Sequence, residues 1–229
     1  MVYKLINIFS YIYLLISSLI IAGEVGGGAE EEVYVMPAGY AFSIWGIIYL
    51  LLLGLFIRQF FANEQEEAFL RKSGWWLAVS MVLSGTAVIV STTLSILFIA
   101  GTLLTLCVLY TKTRKELSIS WMLSVPITVY LGWISVATIV DAFVVMEANG
   151  ITELFGIEQL TWAVLMLSIG GLIALVFYIV HKDVMFPLVF IWGYIAIWIK
   201  QDVFLIQLVT GTVIILLAGV ITFKNHRIS

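Results

Sequence analysis

Long apolar runs occupy most of this 229-residue chain, and they limit what it can fold into. A helix needs about 20 mostly apolar residues to cross the hydrocarbon core of a bilayer. Charged residues make up only 11% of the chain, whereas soluble domains carry roughly a quarter. We therefore predict an all-α polytopic membrane protein with about eight transmembrane helices and the lipid bilayer as its surroundings. The runs lie at 3–22, 40–61, 74–91, 93–111, 120–142, 159–181, 184–199 and 203–223.

The distribution of basic residues predicts the topology. If the N-terminus is cytoplasmic, every lysine and arginine except Lys200 falls in a cytoplasmic segment, as the positive-inside rule requires. The run 73–110 is basic at both ends, so it is predicted to be a hairpin that turns near 91–93. The chain is thus expected to be a multi-pass protein of the cell membrane with both termini in the cytoplasm.

The polar segments yield further expectations. Glycines and glutamates in 23–38 predict a flexible acidic loop, either a plain linker or a mobile lid. Segment 62–72 is expected to form a short interfacial helix. Cys107, the only cysteine, excludes an intrachain disulfide and is predicted to be a buried packing residue. A net charge of -3 with dispersed basic residues gives no basis for binding nucleic acid.

Two predicted helices carry aromatic residues at helical spacing. Phe42, Trp45 and Tyr49 follow an i, i+3, i+7 pattern and are expected to share one face of the second helix. The fifth helix carries a similar face, and both faces fall in the outer half of the membrane. Two aromatic faces at one depth predict a pocket for a flat apolar ligand. The residues of the fifth-helix face are Tyr130, Trp133, Ala137 and Asp141.

Asp141 supports two interpretations. An ionisable residue inside a membrane is costly and is therefore a functional candidate. Alternatively, it simply ends the fifth helix at the outer interface. The sequence shows no nucleophile set, acid–base pair or zinc motif, so it predicts neither an enzyme nor a metal site.

The motifs of these two helices resemble those of a known family. PAGYAFSIWGIIY, at 37–49, and VPITVYLGWISVATIVD, at 125–141, resemble the second-helix and fifth-helix signatures of the TspO/MBR family. These are the tryptophan-rich sensory proteins related to the mitochondrial translocator protein. The resemblance covers residues 1–146 and implies a five-helix bundle there, followed by a three-helix extension at 147–229.

The resemblance also implies a ligand site. Family members are associated with porphyrins, heme and, in animals, cholesterol, and they often form homodimers. Pro37, Trp45 and Tyr49 match the second-helix ligand region, and Trp133 and Ala137 match the fifth-helix face. Asp141 stands where many relatives have Asn. The third helix, WWLAVSMVLSGTAVI, offers Ser84 and lacks the family's Asn and cavity-facing Trp.

The leading functional hypothesis is a membrane receptor or carrier that senses or transports a flat hydrophobic molecule. The ligand would be a tetrapyrrole such as a porphyrin or heme, with no cofactor required. One alternative is a proton-coupled secondary transporter that uses Asp141. Others are an enzyme that degrades a bound pigment and a membrane assembly factor without a small ligand.

Overall fold

The structure, a computed structural model, describes residues 2–21, 33–117 and 120–225. Eight α-helices lie within these ranges, as the apolar runs predict. A π-helical stretch, Ser17–Ile21, continues the first helix, and a 3-10 turn, Gly39–Ser43, precedes the second. The helices are α1 (Val2–Ile16), α2 (Ile44–Arg58), α3 (Glu64–Ala87), α4 (Thr92–Leu117), α5 (Trp121–Ala148), α6 (Gln159–His181), α7 (Met185–Lys200) and α8 (Phe204–Asn225).

The helices have the length and composition of a polytopic membrane protein. Six helical spans in the described ranges are long and apolar enough to cross a bilayer. The helix α7 is apolar but has 16 residues, roughly 24 Å at 1.5 Å per residue, which is shorter than a hydrocarbon core. The helix α3 begins with a charged turn and becomes apolar only after residue 74. The predicted fold class is thus confirmed. The six spans are Val2–Leu19, Gly39–Arg58, Thr92–Lys115, Trp121–Ala148, Gln159–His181 and Phe204–Phe223.

The first part of α3 is the short helix that the polar sequence predicts. Asn63 caps it, because its side chain accepts hydrogen bonds from two backbone N–H groups while Glu66 accepts one from the Asn63 backbone. Gly74 has φ 46° and ψ −123°, which interrupts the helix before the apolar part begins. Hydrogen bonds from Tyr3 and Lys4 hold the pKa of the Glu67 carboxyl below its ordinary value and tie this segment to α1.

The helices α3 and α4 form the predicted hairpin. The chain turns at residues 88–91, and the backbone N–H of Ile89 donates to the Thr86 carbonyl. A β-carbon placed on Gly101 of α4 would lie 3.3 Å from the side chain of Leu83, so the two helices pack closely. Cys107 of α4 is exposed on the helix surface, so the prediction that it is buried is wrong. An apolar sequence neighbourhood does not require burial in a membrane helix, because residues that face lipid are apolar as well.

The chain divides into two compact units. The first unit is Met1–Ala29 with Trp45–Ile134, and the second is Glu30–Ile44 with Ser135–Ser229. The division falls inside α5. It differs from the sequence-based division at 146/147, which stays a prediction.

In the second unit, the segment before the 3-10 turn is fixed against α7. The backbone N–H of Ala38 donates to the Ala196 carbonyl at 3.0 Å. The Gln201 side chain donates to the carbonyls of Val33 and Met36. Residues 33–37 are largely buried, so for them the prediction of a flexible linker or lid is wrong. The acidic part, 23–32, lies outside the described residues.

A short β-hairpin, absent from the predictions, precedes α6 in the second unit. Strands β1 (Glu153–Leu154) and β2 (Ile157–Glu158) pair antiparallel. Phe155 and Gly156 between them both have positive φ, as a type I′ hairpin turn requires.

Candidate functional site

Three of the predicted ligand residues meet in the first unit. The Trp45 ring stacks on Tyr49 of the same helix, with 5.7 Å between centroids and 26° between planes. Its edge meets Tyr130 of α5 at 6.1 Å and 64°. These are favourable arrangements for aromatic pairs. We call Trp45, Tyr49 and Tyr130 the aromatic cluster.

Buried hydroxyl groups adjoin the aromatic cluster. The Tyr130 hydroxyl donates to the Ser80 carbonyl of α3 at 3.2 Å, and the Tyr11 hydroxyl of α1 donates to the Tyr49 carbonyl at 2.9 Å. The Ser84 hydroxyl lies beside that of Tyr130 but makes no hydrogen bond of regular geometry within the described part of the chain. Ser84 is 1% exposed, so its hydroxyl also lacks solvent. A buried hydroxyl whose polar neighbour is another hydroxyl is suited to bind a polar edge of a ligand.

Close packing of the first helix and its π-helical stretch on α3 places a second hydroxyl beside Gly85, the residue after Ser84. A β-carbon on Gly85 would lie 2.9 Å from the Tyr13 ring and 3.2 Å from the Ser17 hydroxyl oxygen. Ser17 is fully buried, and its hydroxyl also has no hydrogen-bond partner among the described residues. Sequence reasoning missed Tyr11 and Ser17, although it identifies Gly85 as a residue that allows close helix approach. A glycine directly after Ser84 was the available signal, because such a residue permits a neighbouring helix to approach.

Among the predicted aromatic ligand residues of the first unit, Trp45 is the most exposed. Trp133 is 2% exposed and Tyr130 is fully buried, whereas Trp45 is only half-buried. The rings already fill the space between them. A ligand would therefore have to displace a side chain, and Trp45 is the ring whose movement costs least buried surface.

The remaining predicted site residues belong to the second unit. Pro37 is buried in the fixed segment before the 3-10 turn, and Ala137 is half-buried on α5. Phe42 lies in the 3-10 turn and is 46% exposed. Because α2 begins only at Ile44, α-helical spacing does not apply strictly to Phe42. That Phe42 shares a face with Trp45 and Tyr49 stays a prediction. That these residues line the same pocket as the aromatic cluster stays a prediction.

Asp141 lies inside α5 rather than at its end. The helix continues to Ala148, about two turns further. The Asp141 residue is half-buried and interacts with other groups of the protein. The interpretation that Asp141 ends the helix is therefore wrong. The continuous helix also keeps Tyr130, Trp133, Ala137 and Asp141 along one side, as their spacing predicts.

The second unit contains an apolar groove between α6 and α8. Its volume is about 410 Å³, and Gly171, Leu175, Val213 and Leu217 contribute to its walls. The hydroxyls of Ser168 and Thr212 also reach it, but each donates to a carbonyl of its own helix. The groove therefore has an apolar lining, and neither hydroxyl is available to bind a ligand. Such a surface is typical of one covered by lipid tails.

Comparison with known families decides where the chain belongs. A family model described as TSPO-like protein matches residues 4–223. The chain belongs to this family of TSPO-like proteins. The match includes α6, α7 and α8, so the family extends beyond the first 146 residues on which the sequence resemblance rests. No curated protein and no solved structure matches the chain significantly.

Proposed function

We propose that this TSPO-like membrane protein is a receptor or carrier that binds a flat hydrophobic ligand of the tetrapyrrole type at the aromatic cluster. The observation that carries the proposal is the contact of Trp45 with Tyr49 and Tyr130, next to the buried Ser84 hydroxyl. A planar apolar ligand stacks on such rings, and a few placed polar groups orient it.

Ligand binding would begin with the half-buried ring. Trp45 would rotate off Tyr49 and leave a slot against Tyr130, in which the ligand would stack between the displaced Trp45 ring and Tyr130. The Ser84 hydroxyl would then donate to or accept from a polar substituent at the ligand's edge. Each residue in this sequence of events belongs to the first unit.

The residues of the cluster suit a metal-free ring better than heme. Heme iron in proteins is often held by histidine. The aromatic cluster itself contains no histidine, cysteine or methionine. We therefore expect protoporphyrin to bind at least as tightly as hemin.

A titration with matched tryptophan variants tests the proposal. Purified protein in detergent is titrated with protoporphyrin and with hemin, following tryptophan emission and ligand absorbance. Trp45→Ala should weaken binding by about tenfold, because one good aromatic stacking contact contributes about 1.4 kcal/mol to the free energy of binding. Trp75→Ala is the control, because Trp75 is 66% exposed and lies outside the cluster. Equal affinities of the two variants and the wild-type protein would refute the proposed site.

A second candidate function is proton-coupled transport through Asp141. The position of Asp141 inside α5, half-buried, favours it, because such a carboxyl can take up and release a proton within the membrane. Liposome uptake of a labelled porphyrin driven by a pH gradient should be lost in Asp141→Asn. It should persist in Glu147→Gln, an exposed residue of the same helix. Uptake that is independent of the gradient, or retained in Asp141→Asn, would exclude this function.

A further inference from the structure

The β-hairpin before α6 carries an exposed phenylalanine at its tip. Phe155 is 88% exposed and has φ 55°, a left-handed conformation that glycine or asparagine adopts more easily in a type I′ turn. This conformation costs free energy for a bulky side chain, and such costs persist where the residue has a role. The exposed ring therefore indicates an interaction with something outside the chain.

The two strands give the hairpin two chemically different faces. Side chains alternate between the faces of a strand, so the cross-strand pair Glu153 and Glu158 lies on one face and the pair Leu154 and Ile157 on the other. Both glutamates are exposed, and Leu154 is 38% exposed. The hairpin is thus amphipathic, a property that interfacial helices share and that suits a boundary between water and lipid.

A hydrogen bond fixes the depth of the hairpin relative to α6. The Trp162 indole N–H donates to the Leu154 carbonyl at 2.9 Å, so this strand lies beside the first turn of α6. The span that can cross a bilayer begins at Gln159, and tryptophan rings are enriched at the level of lipid headgroups. Phe155 directly follows Leu154 and is therefore placed near the boundary between the headgroups and the acyl chains.

Further hydrogen bonds hold the hairpin in place. The Gln159 side chain donates to the Ile151 carbonyl at 2.7 Å and to the Glu147 carboxylate at 3.3 Å. The Gln159 backbone N–H donates to the Thr152 carbonyl at 3.2 Å. These bonds join the end of α5, the hairpin and the start of α6, all of which belong to the second unit. The Phe155 ring is thus presented from a braced support.

We propose that the hairpin 153–158 is a membrane-interface anchor, in which Phe155 inserts into the lipid surface while the acidic face stays in water. The position of the tip beside the first turn of a membrane-spanning helix favours lipid as its partner. Removal of a phenyl ring from water is favourable and offsets the cost of the left-handed backbone. The anchor holds the α5–α6 connection at the membrane surface, and it does not depend on a ligand at the aromatic cluster.

Photocrosslinking in liposomes tests this proposal. The photoreactive analogue p-benzoylphenylalanine is introduced at Phe155 of the full-length protein, which is reconstituted in dioleoyl phosphatidylcholine. Mass spectrometry counts the lipid adducts after irradiation. The same analogue at Glu153, on the acidic face, is the matched control. The analogue at Leu172, which is 59% exposed inside α6, gives the yield expected for direct contact with lipid.

Lipid adducts at residue 155 should equal those at residue 172 and exceed those at residue 153 by about tenfold, the partition that burial of one phenyl ring favours. Equal yields at residues 155 and 153, or no adducts at residue 155, overturn the proposal. Crosslinking of residue 155 to another protein in whole cells, in place of lipid, would also overturn it.

A second measurement uses a variant without the bulky analogue. Phe155→Asn removes the ring, and asparagine adopts the left-handed conformation readily, so the turn is retained. Amide hydrogen exchange across 153–158 in liposomes should become faster by a similar factor in this variant, because the tip no longer lies in lipid. Unchanged exchange would overturn the proposal.

Discussion

At the residue scale, the first unit contains two buried side-chain amides that lack hydrogen bonds within the described part of the chain. Asn7 is fully buried and Gln59 is 1% exposed, and neither amide has a hydrogen-bond partner among the described residues. Asn7 lies between Lys4, which donates to the Gln59 carbonyl, and Tyr11, whose ring packs 5.2 Å from Phe56. Asn7 thus lies on the side of α1 that faces α2, and Gln59 directly follows the last residue of α2. Unpaired amides in such a place should cost stability.

Asn7→Leu should therefore raise the thermal stability of the purified protein. Leucine has a similar volume and removes the unpaired amide, so we expect a gain of about 1–2 kcal/mol, measured by thermal unfolding in detergent. Gln65→Leu, at an exposed position, serves as the control. A loss of stability in Asn7→Leu would mean that the amide binds a polar group in the folded protein.

Residue identities predicted part of the site. Trp45, Tyr49 and Tyr130 follow helical spacing, and the structure brings them into contact because two continuous helices carry them. The place of Ser17 in the site could not be predicted from the sequence, because it depends on a π-helical stretch and on a glycine of another helix. Sequence spacing describes one helix at a time and does not reveal which helices approach each other.

At the scale of elements, apolar runs predicted helix number and limits well, since a bilayer demands length and hydrophobicity. They predicted breaks less well. A 3-10 turn over Gly39–Ser43 delays the start of α2 to Ile44, and α3 joins a polar and an apolar segment across Gly74. These departures depend on a few backbone angles, which hydropathy does not encode.

Packing of α6 on α8 depends on one glycine. A β-carbon on Gly171 would lie 2.6 Å from a methyl group of Val213. Gly171→Ala should lower stability by about 1–3 kcal/mol through overpacking, as a thermal unfolding series will show. Val213→Ala should restore much of the loss in the double variant, because it removes the opposing methyl groups. Gly219→Ala, which would meet nothing within 4 Å, is the control. Equal effects of Gly171→Ala and Gly219→Ala would contradict the close approach.

At the scale of the whole molecule, the prediction of the membrane topology rests on the distribution of basic residues. Eight crossings with cytoplasmic termini would place Lys200 outside and Arg114 inside. The helix count agrees with the structure, whereas the orientation rests on the sequence alone. The division into two units at Ile134 was not predicted, because compactness depends on contacts distant in sequence.

Cysteine labelling in intact cells will test the orientation. Because Cys107 is exposed, it is first changed to serine. A membrane-impermeant maleimide should then label Lys200→Cys in intact cells and Arg114→Cys only after the cells are opened. Labelling in the reverse order would invert the topology, and labelling of both in intact cells would require a different number of membrane crossings.

The central claim is that a tetrapyrrole binds at the aromatic cluster, and photo-oxidation tests it most directly. Illuminated protoporphyrin oxidises the tryptophans nearest to it, and mass spectrometry of the digested protein locates them. The account predicts saturable oxidation of Trp45 and Trp133 before that of the exposed Trp75 and Trp121. Oxidation that follows exposure alone, with Trp75 and Trp121 modified first, would contradict it.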